Sequence, residues 1–118
     1  MKIQLKRVYD DVSPQDGYRV LVDRLWPRAL KKEALKMDLW AKALAPTPTL
    51  RRWFHADPEN RWAEFCTRYR AELDASSEAA ELARQLGSHA TITLLFAAKD
   101  VTHSHARILK AFLLQSQE

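Results

Sequence analysis

The feature that most constrains the fold of this sequence is a short apolar run near its C-terminus, Thr91–Ala97. A membrane-spanning helix needs about 20 apolar residues, so this run cannot cross a bilayer. It begins with β-branched residues and is apolar on both faces, which is typical of a strand covered on both sides. The run therefore predicts the central strand of a sheet. Apolar residues make up 47% of the 118-residue chain, enough for a sizeable core around that strand.

Two further strands are predicted near the N-terminus. Residues 2–8 alternate between apolar and polar side chains, as a half-exposed strand does. After turn-forming residues at 10–17, a second strand is predicted over Tyr18–Leu25, ending before the Trp26-Pro27 pair. The connection of eight residues is too short for a helical crossover. Either part of the sheet is therefore antiparallel, or these two strands are not neighbours.

After these two strands, apolar residues recur at the spacing of a helix. Leu35, Leu39, Trp40 and Ala43 predict a short helix from Lys31 that ends at Pro46 and Pro48. A brief helical turn through Leu50, Trp53 and Phe54 follows, with Thr47 or Thr49 as its cap. The clearest helix begins at Asp57-Pro58, and its apolar stripe consists of Trp62, Phe65, Cys66, Tyr69 and Leu73.

Two more helices complete the predicted elements. Ser77 is expected to cap the first of them, and Gly87 is expected to end it in the left-handed conformation. Thr102 is expected to cap the last helix, whose inward stripe is Ala106, Leu109, Phe112 and Leu113. Together the elements predict an α/β fold: a small, mainly parallel sheet of three or four strands flanked by helices, in a single domain over residues 1–118.

Cysteine usage and the N-terminus bear on the compartment. The single cysteine, Cys66, cannot form an intrachain disulfide and lies on an apolar stripe, so it is interpreted as a small buried hydrophobe. The first residues lack the apolar core of a signal peptide, and no run is long enough to span a membrane. The sequence therefore predicts a cytoplasmic protein that does not insert into a membrane.

Polar residues follow two of the predicted strands at the points where they end. Ligands of α/β proteins bind outside the carboxyl ends of the strands. If the strands are parallel, one sheet edge brings together Asp23, Arg24 and Arg28 with Lys99, Asp100 and His103. We expect ligand binding from Arg24, Arg28, Trp26, Lys99, Arg51 and Arg52, and proton transfer from Asp23, Asp100 and His103. A purely structural Asp-Arg pair at the strand ends is the alternative.

Metal and cofactor chemistry find little support in the sequence. His103 and His105 are two positions apart, so they point in different directions on a helix and could share a metal only in an extended segment or at a helix start. The chain has no glycine-rich phosphate loop and no Cys or His set with zinc spacing. No cofactor and no metal site are therefore predicted.

Several segments resemble one family. The most specific is Val20–Arg28, which contains Asp-Arg-Leu-Trp-Pro-Arg, and the other matching positions are Leu44–Pro46, Leu50–Phe54, Trp62, Phe65, Arg68, Tyr69, Glu72, Leu73, Thr93–Leu95, Ala98–Asp100, His103 and Ala106. On these residues the chain resembles the YeaO-like family of small bacterial proteins, domain of unknown function 488. The resemblance implies the fold and the compartment but no activity. Where the family pattern has glycine, serine and asparagine, this chain has Ala29, Thr47 and Ser104.

Three function classes remain open. The first is a protein that binds an anionic, phosphate-bearing small molecule at the strand ends, with a possible enzymatic role. The second is a nucleic-acid-binding module, because residues 1–55 carry twelve Lys or Arg against six Asp or Glu. The third is an interaction protein in which Trp26, Trp53 and Phe54 anchor a partner or a second copy of the chain.

Overall fold

A computed structural model of the protein describes residues 1–117. These residues contain four strands and four α-helices, and short 3₁₀ turns occupy Pro14–Asp16, Lys32–Ala34 and Lys42–Leu44. The elements in chain order are β1 (Lys2–Arg7), β2 (Tyr18–Leu21), β3 (Leu39–Trp40), α1 (Pro48–Ala56), α2 (Pro58–Ala75), α3 (Ser77–Leu86), β4 (Thr91–Phe96) and α4 (His105–Ser116).

The strands form one sheet in the order β1-β4-β2-β3, and every neighbouring pair is parallel. Strand β4 lies between β1 and β2, with Leu94 opposite Leu5 on one side and Val20 on the other. The prediction of a central C-terminal strand is therefore confirmed. The short connection between β1 and β2 is also explained, because these strands are not neighbours.

The two faces of the sheet are covered differently. Ile92, Leu94 and Phe96 of β4 point into the main core, which also contains apolar residues of all four α-helices. Leu95, one residue along, points to the opposite face and packs with Leu21, Leu35 and Val8. This alternation follows from the geometry of a strand, because successive side chains point to opposite faces of the sheet. The helices thus cover one face, and the chain between β2 and β3 covers the other.

The prediction of a helix from Lys31 to Pro46 was wrong. In its place, Leu39 and Trp40 form β3, the edge strand beside Val20 and Leu21 of β2. The Asp38 amide donates to the Arg19 carbonyl at 2.7 Å, and the Ala41 amide donates to the Leu21 carbonyl at 2.8 Å. These bonds satisfy backbone groups of β2 that would otherwise remain unpaired at the sheet edge, and this long-range gain outweighs the local helical spacing.

Several predicted element ends differ by a few residues. Strand β2 ends at Leu21 rather than Leu25, and Gly87 has a right-handed φ of −63° rather than a left-handed conformation. Ser76, not Ser77, accepts a hydrogen bond at the start of α3, and Ser104, not Thr102, does so at the start of α4. In both helices the serine one or two positions from the predicted cap has the extended backbone that lets its hydroxyl reach a first-turn amide.

Other predictions for the helices hold. The Thr47 hydroxyl accepts from the Leu50 amide and caps α1, as one of the two predicted caps. Helix α2 begins at Pro58, and Phe65, Tyr69 and Leu73 of its predicted apolar stripe are buried. The other two residues of that stripe, Trp62 and Cys66, are only partly buried because they lie towards its edge, so the interpretation of Cys66 as a buried hydrophobe was wrong. No helix within residues 1–117 is both long enough and apolar enough to cross a membrane.

Candidate functional site

A cleft of about 510 Å³ opens at the carboxyl ends of β2 and β4. We call it the strand-end cleft. Its walls come from the loop 23–28 after β2, the loop 97–99 after β4, helix α1 and the first residues of α4. In a parallel sheet all strands end at the same edge, and the loops and helix starts that follow them meet there. The parallel pairing of β4 with its neighbours therefore explains why the cleft lies at the carboxyl edge of the sheet.

Asp23 joins the two strand ends directly. Its Oδ2 atom accepts a hydrogen bond from the Ala97 amide at 2.8 Å, and its backbone carbonyl accepts one from Nε1 of Trp40 at 2.7 Å. The Asp23 carboxylate thus takes the place of a backbone partner just beyond β4. This bond brings together the two polar strand ends that the sequence placed at one edge.

His105, the first residue of α4, packs beside Asp23. Its Nε2 atom lies 3.0 Å from the Val22 carbonyl oxygen and 3.5 Å from Oδ1 of Asp23. The two side chains are only 15% and 19% exposed. Burial lowers the pKa of His105, against the opposing effect of the Asp23 carboxylate. Burial likewise raises the pKa of Asp23, although His105, the Ala97 amide and Arg51 oppose that shift.

Four cationic side chains line the strand-end cleft: Arg24, Arg28, Arg51 and Lys99. Arg24 is held in place, since its guanidinium donates to the backbone carbonyls of Pro46 at 3.2 Å and Ala45 at 3.3 Å. Arg51 is an exposed residue of α1 on the cleft wall. Asp23 is the single carboxylate among the lining residues, and it is already engaged by an amide and a histidine. The cleft is therefore strongly positive.

Two predicted site residues lie outside the cleft lining. Arg52 is exposed on α1 next to Arg51. Asp100 is exposed, and its Oδ1 atom accepts from the amides of Thr102 and His103 while its Oδ2 lies 2.9 Å from Nδ1 of His103. Asp100 thus shapes the turn before α4, and His103 does line the cleft.

Trp26 also lines the cleft, but its ring is committed to packing. Its indole N–H donates to the Leu30 carbonyl. The ring meets Trp40 edge-on, with a centroid distance of 5.4 Å and an interplanar angle of 68°. Trp53 lies outside the cleft, where the guanidinium groups of Arg61 and Arg68 stand 5.0 and 4.5 Å from its ring centroid. Neither tryptophan is a freely presented stacking platform.

The two histidines of the last motif have different surroundings. The His103 ring packs 5.0 Å from the Trp62 ring and pairs with Asp100. The His105 ring packs 5.8 Å from the Tyr69 ring and faces Asp23. Across residues 1–117 the side chains of His, Cys, Asp and Glu form no group of three or more arranged to hold a metal ion.

Two residues that line the cleft, His105 and His55, were not predicted as site residues from the sequence. His105 was weighed only as a metal ligand with His103, and His55 was not considered. The signal for His105 is Ser104, which caps α4 and so makes His105 the first residue of a helix that starts at the sheet edge. The signal for His55 is its position four residues after Arg51, on the same face of α1. Burial lowers the pKa of His55, and the nearby Arg51 and His105 act in the same direction.

The fold and the cleft define a small α/β protein with a basic cleft at the carboxyl edge of a parallel sheet. The chain belongs to the DUF488 family, since a family model described as the inactive DUF488-N3 subclade matches residues 2–118. The resemblance found in the sequence is thereby confirmed.

Two similar proteins support the same family assignment. The uncharacterized protein YeaO of Escherichia coli (strain K12) is 42% identical over 113 residues, covering 96% of this chain and 97% of its own length. An uncharacterized protein of Mycobacterium tuberculosis (strain H37Rv) is 42% identical over 112 residues, covering 95% and 93%. No solved structure matches the chain significantly.

Proposed function

We propose that this protein binds a phosphate-bearing small molecule in the strand-end cleft. The observation that carries the proposal is the charge of the lining: Arg24, Arg28, Arg51 and Lys99 face one cleft together with one carboxylate, Asp23. Guanidinium groups match phosphate oxygens in geometry, and clustered cations raise the local concentration of anions. Four cations against one carboxylate leave the lining with a net positive charge.

The start of α4 adds to the positive potential. Ser104 and His105 line the cleft, so the amino-terminal end of this 12-residue helix faces it. A helix amino terminus carries a partial positive charge and favours anions. The effect falls off within the first turn, so it favours an anion held near His105.

A binding role is favoured over catalysis. The matching family model is described as an inactive subclade. Of the three residues expected to transfer protons, Asp100 lies outside the cleft lining and Asp23 is engaged by an amide and a histidine. We therefore propose recognition of a phosphate group as the main task of the cleft.

Isothermal titration with inorganic phosphate and simple phosphate esters tests this function. Arg24 is a poor probe, because its bonds to Ala45 and Pro46 give it a structural role. Arg51→Gln is the better variant, and Arg52→Gln is its matched control because the adjacent arginine lies outside the cleft lining. We expect Arg51→Gln to weaken phosphate binding by about tenfold, the loss of one hydrogen bond to a charged group. Arg52→Gln should leave the affinity unchanged.

Two results would contradict the proposal. Equal losses in both variants would mean that diffuse surface charge, rather than the cleft, attracts the anion. Absence of phosphate binding together with tight binding of a DNA or RNA oligonucleotide would favour the nucleic-acid alternative. In that case log affinity should fall steeply with log salt, with a slope close to the number of neutralised phosphates.

A further inference from the structure

The strand-end cleft is larger than a phosphate group requires. Its volume is about 510 Å³, within the ~300–1,000 Å³ of pockets that enclose whole small molecules. One water molecule accounts for about 30 Å³ of liquid, and inorganic phosphate is only a few times larger. A phosphate held by the cations would therefore leave most of the cleft unfilled.

Another part of the lining is apolar. Phe54 and Phe65 contribute buried rings whose centroids are 4.4 Å apart at an interplanar angle of 27°, and Pro27 is also buried. At the cleft, Leu25 is 61% exposed and Tyr9 is 46% exposed, two of the few large apolar side chains with such exposure among the described residues. Single exposed apolar residues are common on protein surfaces. Here two of them border one cleft that also holds buried aromatic rings.

We infer that the ligand is a phosphate monoester that carries a flat aromatic ring. The inference rests on the proposed function, because the cations must hold the phosphate. The apolar part of the lining then meets the ring, and Leu25 and Tyr9 lose exposed surface on binding. A ring is favoured over an alkyl chain because it is rigid and loses less conformational freedom. It can also stack on the exposed Tyr9 ring or on the exposed guanidinium groups of Arg28 and Arg51 in the lining.

The test compares four probes by isothermal titration: inorganic phosphate, ribose 5-phosphate, phenyl phosphate and adenosine monophosphate. We expect at least one of the two ring-bearing esters to bind about tenfold more tightly than both ring-free probes, from the apolar surface that its ring buries. Whichever of the two binds more tightly identifies the source of the ring as a plain aryl ester or a nucleotide.

A pair of matched variants tests the position of the ring. Leu25→Ser changes an exposed side chain in the cleft, and Val12→Ser changes one that is 50% exposed and outside its lining, so neither should unfold the protein. We expect Leu25→Ser to weaken binding of the tighter ring-bearing ester about threefold or more, from the apolar contact it removes, and to leave phosphate binding unchanged. Val12→Ser should alter neither affinity.

The outcomes separate this inference from the proposed function. If phosphate and the ring-bearing esters bind equally, or if Leu25→Ser weakens all probes alike, the ring is not recognised, although the phosphate site stands. If none of the four probes binds, both the proposed function and this inference fail.

Discussion

Nε2 of His105 lies 3.5 Å from Oδ1 of Asp23, and this pair connects the first residue of α4 to the loop that follows β2. Both groups are largely removed from solvent, so burial lowers the pKa of the histidine and raises that of the carboxyl group. The pair therefore resists carrying its full charge in the folded state. The fold must offset this cost with other interactions.

The first prediction concerns pH. In the unfolded chain His105 takes up a proton near its ordinary pKa of 6.5, whereas in the folded protein it does so at lower pH. Just below pH 6.5 the unfolded state then binds more protons, so the free energy of unfolding rises as pH rises through that window. The raised pKa of Asp23 has the opposite effect, at pH values just above 3.8. Urea denaturation between pH 5 and 7.5 measures the slope.

Three histidine variants test which side chain causes this dependence of the free energy of unfolding on pH. His105→Gln should flatten the dependence of stability on pH, and His55→Gln should flatten it in part because burial also lowers the pKa of His55. His103→Gln, which changes an exposed histidine two positions away, is the control. A slope that His105→Gln leaves intact would show that His105 is not protonated differently in the two states.

The second prediction concerns Ala29, which has a φ of 60°. The left-handed region costs an alanine about 1–2 kcal/mol, and glycine removes this cost. Glycine also gives the unfolded chain more freedom, which offsets about 0.4–1 kcal/mol of the gain. We expect Ala29→Gly to raise the free energy of unfolding by up to about 1 kcal/mol, as measured by urea denaturation. A lower free energy of unfolding in Ala29→Gly would contradict the prediction that the backbone of Ala29 is strained.

The third prediction concerns Gly17, which has a φ of 65° and a ψ of −135°. A Cβ atom there would lie 2.3 Å from the backbone oxygen of Thr91, at the start of the central strand. We expect Gly17→Ala to lower the free energy of unfolding by about 2 kcal/mol or more, from strain and steric overlap. Thermal and urea unfolding measure the loss.

Gly87→Ala is the matched control for this substitution. Gly87 has an ordinary φ of −63°, and an added Cβ would meet only the flexible end of the Gln117 side chain. Its effect on stability should be much smaller than that of Gly17→Ala. Equal losses in the two variants would mean that loss of glycine, rather than the geometry at position 17, controls stability.

The fourth prediction concerns Asp16, which is 4% exposed at the opposite edge of the sheet. Its carboxylate accepts from Lys6 at 2.9 Å, from the Ser13 amide at 3.0 Å and from the buried Arg19 guanidinium. Asp16→Asn leaves the Arg19 charge unpaired, so we expect a loss of about 3 kcal/mol by urea denaturation. Asp11→Asn, at an exposed position, is the control and should change stability by less than about 0.5 kcal/mol.

The same carboxylate predicts acid sensitivity. Burial alone would raise its pKa, but the Ser13 amide, Lys6 and Arg19 together lower the pKa of Asp16. Its stabilising contribution is therefore complete above pH 3.8 and is lost as pH falls through its folded-state pKa. Asp16→Asn should unfold with a weaker dependence on pH in that range than the wild type.

Much of the fold was predictable because strong local patterns agree with the tertiary structure. The apolar run at Thr91–Phe96 is buried on both faces, as a central strand is, and the stripe of Phe65, Tyr69 and Leu73 is buried in α2. In these segments burial and local spacing favour the same conformation. The segment at Leu39–Trp40 was mispredicted because its conformation depends on pairing with β2, which is distant in sequence.

The candidate site was predictable only in part. Placement of Asp23, Arg24, Arg28 and Lys99 along one edge followed from the expectation of parallel strands. The position of His105 depends on where α4 starts, and that start was predicted at Thr102 rather than at Ser104. Arg52 was predicted together with Arg51, because adjacent positions on a helix look alike in sequence although they face different directions.

The α/β class, the central strand and the basic residues near the strand ends can be found in the sequence alone, because short-range periodicity and composition encode burial and charge. Only the folded structure shows that β1 and β2 flank β4, that β3 forms the edge, and which of the basic side chains share one cleft. These properties depend on contacts between residues far apart along the chain. Asp23 and Ala97, 74 positions apart, meet only once the sheet has formed.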